Sequence, residues 1–279
     1  MKLRRIIVLM ATMLFGSLGL SLAQNLPYGG ADRQNGATIN NHSLTTRSVT
    51  FPNGDVYVGE MRGDRYHGEG TFLWADGNSY KGQWKNGKQS GRGIYRWTNG
   101  FRYEGEWYNG YQQGEGTLYN NNGNVQYKGE WLKSKHHGHG ILYRNSGRIE
   151  YEGEWKNNEY HGQGTYYYTN GMKYEGEWKN NERHGYGKLY TLKGEVLYEG
   201  QWAGDLYNGL GTYYGEEGDR YTGEWKNGKR HGIGTYVGTD GVTYEGEWSN
   251  DQRHGKGVER NASGEIISDG TWKKNELQQ

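Results

Sequence analysis

The chain has 279 residues with 33 Lys and Arg against 32 Asp and Glu, and no cysteine, which excludes disulfides, thiol catalysis and cysteine-ligated metals. Fifty glycines alone would suit a disordered chain, but 26 tyrosines and 11 tryptophans supply the apolar area that disordered chains lack. A fixed internal period then makes the length that of a repeat array instead of one or two globular domains.

At the N-terminus, Lys2, Arg4 and Arg5 precede an apolar run from Ile6 to Leu20, and Ser21-Leu22-Ala23 before Gln24 fits the small-x-small cleavage rule. Residues 1–23 are therefore expected to form a signal helix for Sec export, giving a secreted, periplasmic or cell-surface protein. Left uncleaved, the same segment approaches the length that spans a bilayer and would anchor the protein to a membrane. Residues 24–47 are polar and aperiodic, which predicts a flexible spacer. Loss of residues 1–23 leaves 30 basic against 32 acidic side chains, a near-neutral balance that argues against a nucleic-acid binder.

The array occupies residues 48–279. One frame restarts at Tyr57, Tyr80, Tyr103, Tyr127, Tyr151, Tyr174, Tyr198, Tyr221 and Tyr244, with a degenerate start at Ser268 and a half unit before Tyr57. In every full copy the start tyrosine lies 11 residues before the first Gly of a Gly-x-Gly pair, and that Gly lies nine before a turn Gly. Slack is confined to one position after the turn Gly, so the rest must be register-locked. In the unit beginning at Tyr151, alternation puts Tyr151, Gly153 and Trp155 on one face of a short strand and Glu152 and Glu154 on the other. A second strand is expected over Gly162 to Tyr168, rich in Thr and Tyr. Pairs such as Asn86-Gly87, Asn157-Asn158, Asp76-Gly77 and Asn170-Gly171 tolerate positive φ and close the strands into hairpins. The expected fold is all-β: an elongated antiparallel β-hairpin repeat array, wound as a twisted single-sheet solenoid. Tyrosine should stack over tyrosine and tryptophan over tryptophan from unit to unit. The glycine between them leaves room for the rings to lie across the strand.

The pattern Tyr-x-Gly-x-Trp followed by His-Gly-x-Gly, seen in Tyr221-Thr222-Gly223-Glu224-Trp225 and His231-Gly232-Ile233-Gly234, resembles the MORN repeat, the membrane occupation and recognition nexus. Departures are few: Met61 stands for the tryptophan of the first full unit, and Ser90, Gln113 and Asn208 stand for the histidine in three units. The resemblance implies a non-catalytic scaffold for protein-protein contact or for membrane lipids.

The histidine column His67, His137, His161, His184, His231 and His254 does not suit a metal, because equivalent atoms should lie about 9–10 Å apart, against bonds near 2 Å. These side chains are expected to hydrogen-bond backbone near the turns. His136, His137 and His139 form a local trio without a carboxylate at a suitable spacing. The glutamates Glu60, Glu106, Glu130, Glu154, Glu177, Glu224 and Glu247 recur in equal settings, unlike an active site, and are expected to be solvated and paired with lysines such as Lys81 and Lys128. No catalytic, cofactor-binding or metal-ligating residues are assigned, and no cofactor is implied.

Two columns are expected to form the structural core: Tyr103, Tyr127, Tyr151, Tyr174, Tyr198, Tyr221 and Tyr244, with Trp107, Trp131, Trp155, Trp178, Trp202, Trp225 and Trp248. The more variable second-strand residues Tyr143, Tyr166, Tyr167, Tyr190, Tyr213 and Tyr214 are the expected partner-binding groove, with a protein as the leading partner. Two alternatives stand beside that reading. Arg65, Lys88, Lys135, Arg183, Lys229, Arg230 and Arg253 would form a basic rim facing an anionic membrane surface, or exposed rings would bind glycans of a cell wall. The open end strands leave room for a homodimer.

Overall fold

The computed structural model describes residues 43–279; the expected signal helix lies outside them. Among the described residues there is no helix, and 21 strands form a single antiparallel sheet. Strands are numbered in chain order, and each pairs with the one before and the one after it, from β1 (Thr45–Thr50) on β2 (Val56–Arg62) to β20 (Ile266–Lys273) on β21 (Glu276–Leu277). The sheet begins at Thr45, inside the stretch read as spacer, and β1 supplies the half unit before Tyr57.

One unit shows how the sequence makes the element. The strand β10 (Ile149–Lys156) turns through Asn157 and Asn158, both at positive φ, into β11 (Glu159–Tyr167). Two consecutive residues with φ above zero match the twist of the flanking strands, which is why Asn and Gly fill this turn. The second strand is longer than its Thr- and Tyr-rich stretch suggested, starting immediately after the turn at Glu159.

Within the hairpin Gly153 faces Gly164, but the next pair is Glu154 with His161, so Gly162 and Gln163 are extra residues in a bulge. Gly162 takes φ +54° there, a conformation that a side chain disfavours. The bulge releases the Gln163 N–H from the ladder, and the Glu154 carboxylate accepts it at 2.8 Å. Equivalent bonds join Glu60 to Glu69, Glu130 to His139, Glu177 to Tyr186, Glu224 to Ile233 and Glu247 to Lys256. Gln83 and Gln201 do the same with an amide oxygen. This column therefore satisfies bulge N–H groups, and Lys81 and Lys128 make no ion pair among the described residues, contrary to the expected Glu–Lys pairing.

Candidate interaction surfaces

The inner face is built on glycine. Tyr151 is fully buried although it sits on a single sheet, because its ring lies flat over its own hairpin. A Cβ on Gly164 would come within 2.2 Å of the Tyr151 hydroxyl and 2.5 Å of its ring, so only glycine fits beneath. The hydroxyl donates to the Glu154 carbonyl at 2.9 Å, and all nine start tyrosines make this bond to the residue three positions on. Burial pushes the Tyr151 hydroxyl well above its ordinary pKa, so it stays a neutral donor.

The tryptophans join one unit to the next. Trp155 donates its indole N–H to the Gly140 carbonyl of the preceding unit at 3.1 Å. Its ring stands edge-on to Tyr151 of its own unit (5.2 Å, 86°) and to Tyr127 of the unit before (5.4 Å, 89°). The same contacts run from Tyr57 through to Trp272. The expected like-over-like stacks are thus replaced by one alternating Tyr–Trp ladder. Each tyrosine face is met by two tryptophan edges, the arrangement that ring quadrupoles favour.

A third column lies over this ladder. The residue nine positions after each start tyrosine is Tyr66, Gln89, Gln112, His136, Tyr160, Arg183, Tyr207, Arg230 or Arg253. Where it is aromatic it stacks on the tyrosine beneath, at 4.1 Å for Tyr66, 3.6 Å for His136, 4.0 Å for Tyr160 and 3.7 Å for Tyr207. Burial pulls His136 down to a pKa of about 3, so the ring is neutral. Where the column is arginine, the guanidinium covers a tryptophan of the next unit, at 4.1 Å for Arg183 on Trp202 and 4.3 Å for Arg230 on Trp248. Arg183 is buried and bonds the Asp205 side chain at 3.0 Å and the Asp205 carbonyl at 2.7 Å. Arg253 lies over Tyr244 at 4.9 Å.

These positions divide the basic rim expected from sequence. Arg65, Lys88, Lys135 and Lys229 are exposed at the hairpin turns, whereas Arg183, Arg230 and Arg253 cover the ladder on the inner face and are not free to meet a surface. The two groups are adjacent in sequence, and strand alternation sends them to opposite faces. The histidine column lies at the bulge. His67 accepts the Asn86 N–H of the next unit through Nδ1 at 3.5 Å, and Gln113 and Asn208 take the same place with their amide oxygens. His137 and His161 bury an Nδ1 without a hydrogen-bond partner. His139 is exposed beyond the bulge while His136 is in the ladder, so the trio does not converge. Among the described residues no group of three or more His, Asp or Glu side chains could hold a metal ion.

The six tyrosines read as one groove lie on two faces. Tyr166 and Tyr213 stand opposite Tyr151 and Tyr198 in register and pack on the inner face against Trp178 and Trp225. Tyr143, Tyr167, Tyr190 and Tyr214 are the next residues along and point to the outer face, where the Tyr190 hydroxyl donates to Glu175 (2.7 Å) and that of Tyr214 to Glu199 (2.8 Å). The outer face also carries residues that sequence reasoning missed. The middle residue of Gly-x-Gly is Glu69, Arg92, Glu115, His139 or Gln163 in the first five units, then Tyr186, Leu210 and Ile233 in three consecutive units. These three are 52%, 64% and 58% exposed. The signal was present in the sequence: an apolar run in a column that is polar elsewhere.

The MORN repeat family model matches nine consecutive segments, residues 57–79, 80–102, 103–125, 127–148, 151–173, 174–192, 198–220, 221–243 and 244–266. No curated protein matches the sequence. Among solved structures, the chain is similar to the G-box domain of the microcephaly protein CPAP, at 12% identity and TM-score 0.25, over 80% of this chain and 96% of that one. It is also similar to the TCP domain of SAS-4 from Drosophila melanogaster, at 10% identity and TM-score 0.17, over 85% of this chain and 93% of that one. Likenesses of this strength carry no inference about the chain.

Proposed function

Because the chain belongs to the MORN repeat family, we propose that it is an exported, non-catalytic scaffold that binds a protein partner on the outer face of its sheet. The observation that carries this reading is the row Tyr186, Leu210 and Ile233, more than half exposed and in register across three units. Contiguous exposed apolar residues on a soluble protein mark an interaction surface, whereas scattered ones do not. Units lie two strands apart, so the row has steps of about 9–10 Å. An amphipathic helix laid along the array would meet it with apolar residues about six or seven positions apart. Tyr190 and Tyr214 flank the row on the same face and supply polar contacts.

The inner face serves this reading less well. Its tyrosine hydroxyls and indole N–H groups are already bonded within the sheet, so a partner there would find few free donors.

The test is affinity capture from the protein's own compartment with wild type, with Leu210→Asp plus Ile233→Asp, and with Arg92→Asp plus Glu115→Lys at the same column. All four positions are on the outer face, so the sheet should persist. Loss of two apolar contacts should weaken the partner by about 2–4 kcal/mol. Capture that survives the Leu210 and Ile233 changes, or is lost equally in the control, refutes the reading. Export is tested separately by N-terminal sequencing of the mature protein, with Gln24 as the expected first residue.

A further inference from the structure

We propose that the turn rim of units 1 to 4 binds an acidic polysaccharide, through cations on units 1, 2 and 4 and a tyrosine platform on unit 3. The site is distinct from the apolar row and does not rest on it.

The residues flanking each two-residue turn face each other across the hairpin. In the fifth and sixth units these pairs are Lys156 with Glu159 and Lys179 with Glu182, the opposite-charge arrangement that favours pairing. The first two units instead place Arg62 opposite Arg65 and Lys85 opposite Lys88. Like charges directly opposite destabilise a hairpin, and the array demonstrates a better solution in its own later units. All four cations are exposed, and none is in an ion pair among the described residues. The nearby carboxylate of Asp64 is paired with Arg47 instead, at 3.7 Å. Unit 4 continues the rim with exposed Lys133 and Lys135.

Between these cations, unit 3 places Tyr108 opposite Tyr111, 68% and 40% exposed. Two neighbouring rings give an apolar surface edged by hydroxyls, which suits the C–H face of a sugar ring and its peripheral hydroxyl groups. The cations on either side then meet carboxylate, sulfate or phosphate groups borne by the same chain. Several weak contacts on one polymer combine by effective concentration, so no single pair has to be strong.

The sheet geometry favours a chain over a plane. Neighbouring strands rotate by about 20–25°, so a two-strand unit turns the rim by about 40–50°. From unit 1 to unit 4 the rim then swings through more than about 120°, carrying its cations away from any flat surface. A flexible polymer can follow that path; a bilayer can meet only part of it. The fourth like-charged turn pair, Lys226 with Lys229, stands alone, with Ala203 and Leu206 on one side and Ser249 and Gln252 on the other, and serves as the internal control.

The experiment is titration calorimetry of the purified protein with polygalacturonate, heparin, neutral dextran and poly-glutamate, with phosphatidylglycerol vesicles by flotation, each at two NaCl concentrations. The two acidic polysaccharides should bind, more weakly at higher salt, and dextran should not. Arg62→Glu plus Lys85→Glu should reduce polysaccharide affinity by about tenfold or more, the milder Arg62→Gln plus Lys85→Gln by less. Tyr108→Ser plus Tyr111→Ser should reduce it by about five- to tenfold, and Lys226→Glu plus Lys229→Glu should leave it unchanged. No binding of either acidic polysaccharide overturns the proposal. So does tighter binding of poly-glutamate or vesicles, an equal loss in the Lys226 and Lys229 control, or indifference to the tyrosine changes.

Discussion

Replacing Gly164 by alanine tests the central packing claim, that a glycine pair exists so that a tyrosine can lie on it. The added methyl would sit 2.2 Å from the Tyr151 hydroxyl and 2.5 Å from its ring, so the ring must lift. Lifting it breaks the 2.9 Å bond to the Glu154 carbonyl, worth about 1 kcal/mol net. It also disturbs the edge contacts with Trp155 at 5.2 Å and Trp178 at 5.7 Å and the stack with Tyr160 at 4.0 Å, each worth about 0.5–1.5 kcal/mol. The expected loss is about 3–5 kcal/mol, concentrated at two unit interfaces because repeats couple to nearest neighbours. Hydrogen exchange read by mass spectrometry is the suitable assay, since a long array need not unfold in one step. Exchange should accelerate in units 4 to 6 and not at the ends. Gly147→Ala is the control: it has φ +79° with no atom within 4 Å of a new Cβ, and should cost about 1 kcal/mol from backbone strain alone. If the two substitutions cost the same, the tyrosine does not need the glycine and the account of the inner face fails.

Glu154→Gln should be nearly neutral in urea unfolding, as Gln83 and Gln201 already fill this role, while Glu154→Leu should cost about 0.5–1.5 kcal/mol by stranding the Gln163 N–H. His136, with a folded pKa of about 3 against about 6.5 unfolded, binds its proton more readily in the unfolded chain, so its stabilisation is complete above pH 6.5 and is lost as the pH falls toward 3. His136→Gln should therefore recover up to about 2 kcal/mol relative to wild type between pH 7 and pH 5, read from urea midpoints at both pH values; the same pH slope in both proteins would refute the buried neutral ring. Arg183→Ala leaves Asp205 without its guanidinium and uncovers Trp202, and should cost about 2–4 kcal/mol in thermal unfolding, against no more than about 0.5 for the exposed Lys88→Ala.

How far the fold was legible follows from which contacts are periodic. The start tyrosines, the tryptophans and the two glycines recur at fixed spacing, and that spacing alone gives the hairpin, its turns and the buried columns. The bulge was hidden, because Gly162 and Gln163 look like ordinary strand residues until the register of Gly153 on Gly164 and Glu154 on His161 is known. Without the bulge, Glu154 reads as a solvated side chain and its bond to the Gln163 N–H cannot be foreseen. The alternation of Tyr and Trp was hidden for a related reason: sequence gives the period along the chain, but not that Trp155 reaches back to Tyr127 and the Gly140 carbonyl. Adjacent residues such as Tyr166 and Tyr167 also read as one site because both are large and variable. A strand sends them to opposite faces, and the groove expected from sequence divides accordingly.

The same geometry explains why the outer face is free to differ along the array. Each inner ring uses its polar atom within the sheet, tyrosine hydroxyl to bulge carbonyl and indole N–H to the preceding unit, so the ladder is complete without help from the other side. Variation that touches the ladder is confined to the third column, where an aromatic ring, an arginine or a glutamine must cover the tyrosine and is constrained by that task. Outer positions carry no such obligation apart from the glutamate or glutamine at the bulge. Cations can therefore gather at the turns of units 1 and 2, and apolar side chains in units 6 to 8, without changing the hairpin that presents them. An array of this kind holds chemically unlike surfaces at a fixed separation, and charge reversal at Arg62 and Lys85 should leave binding at Leu210 and Ile233 unaffected, because only nearest-neighbour units are coupled.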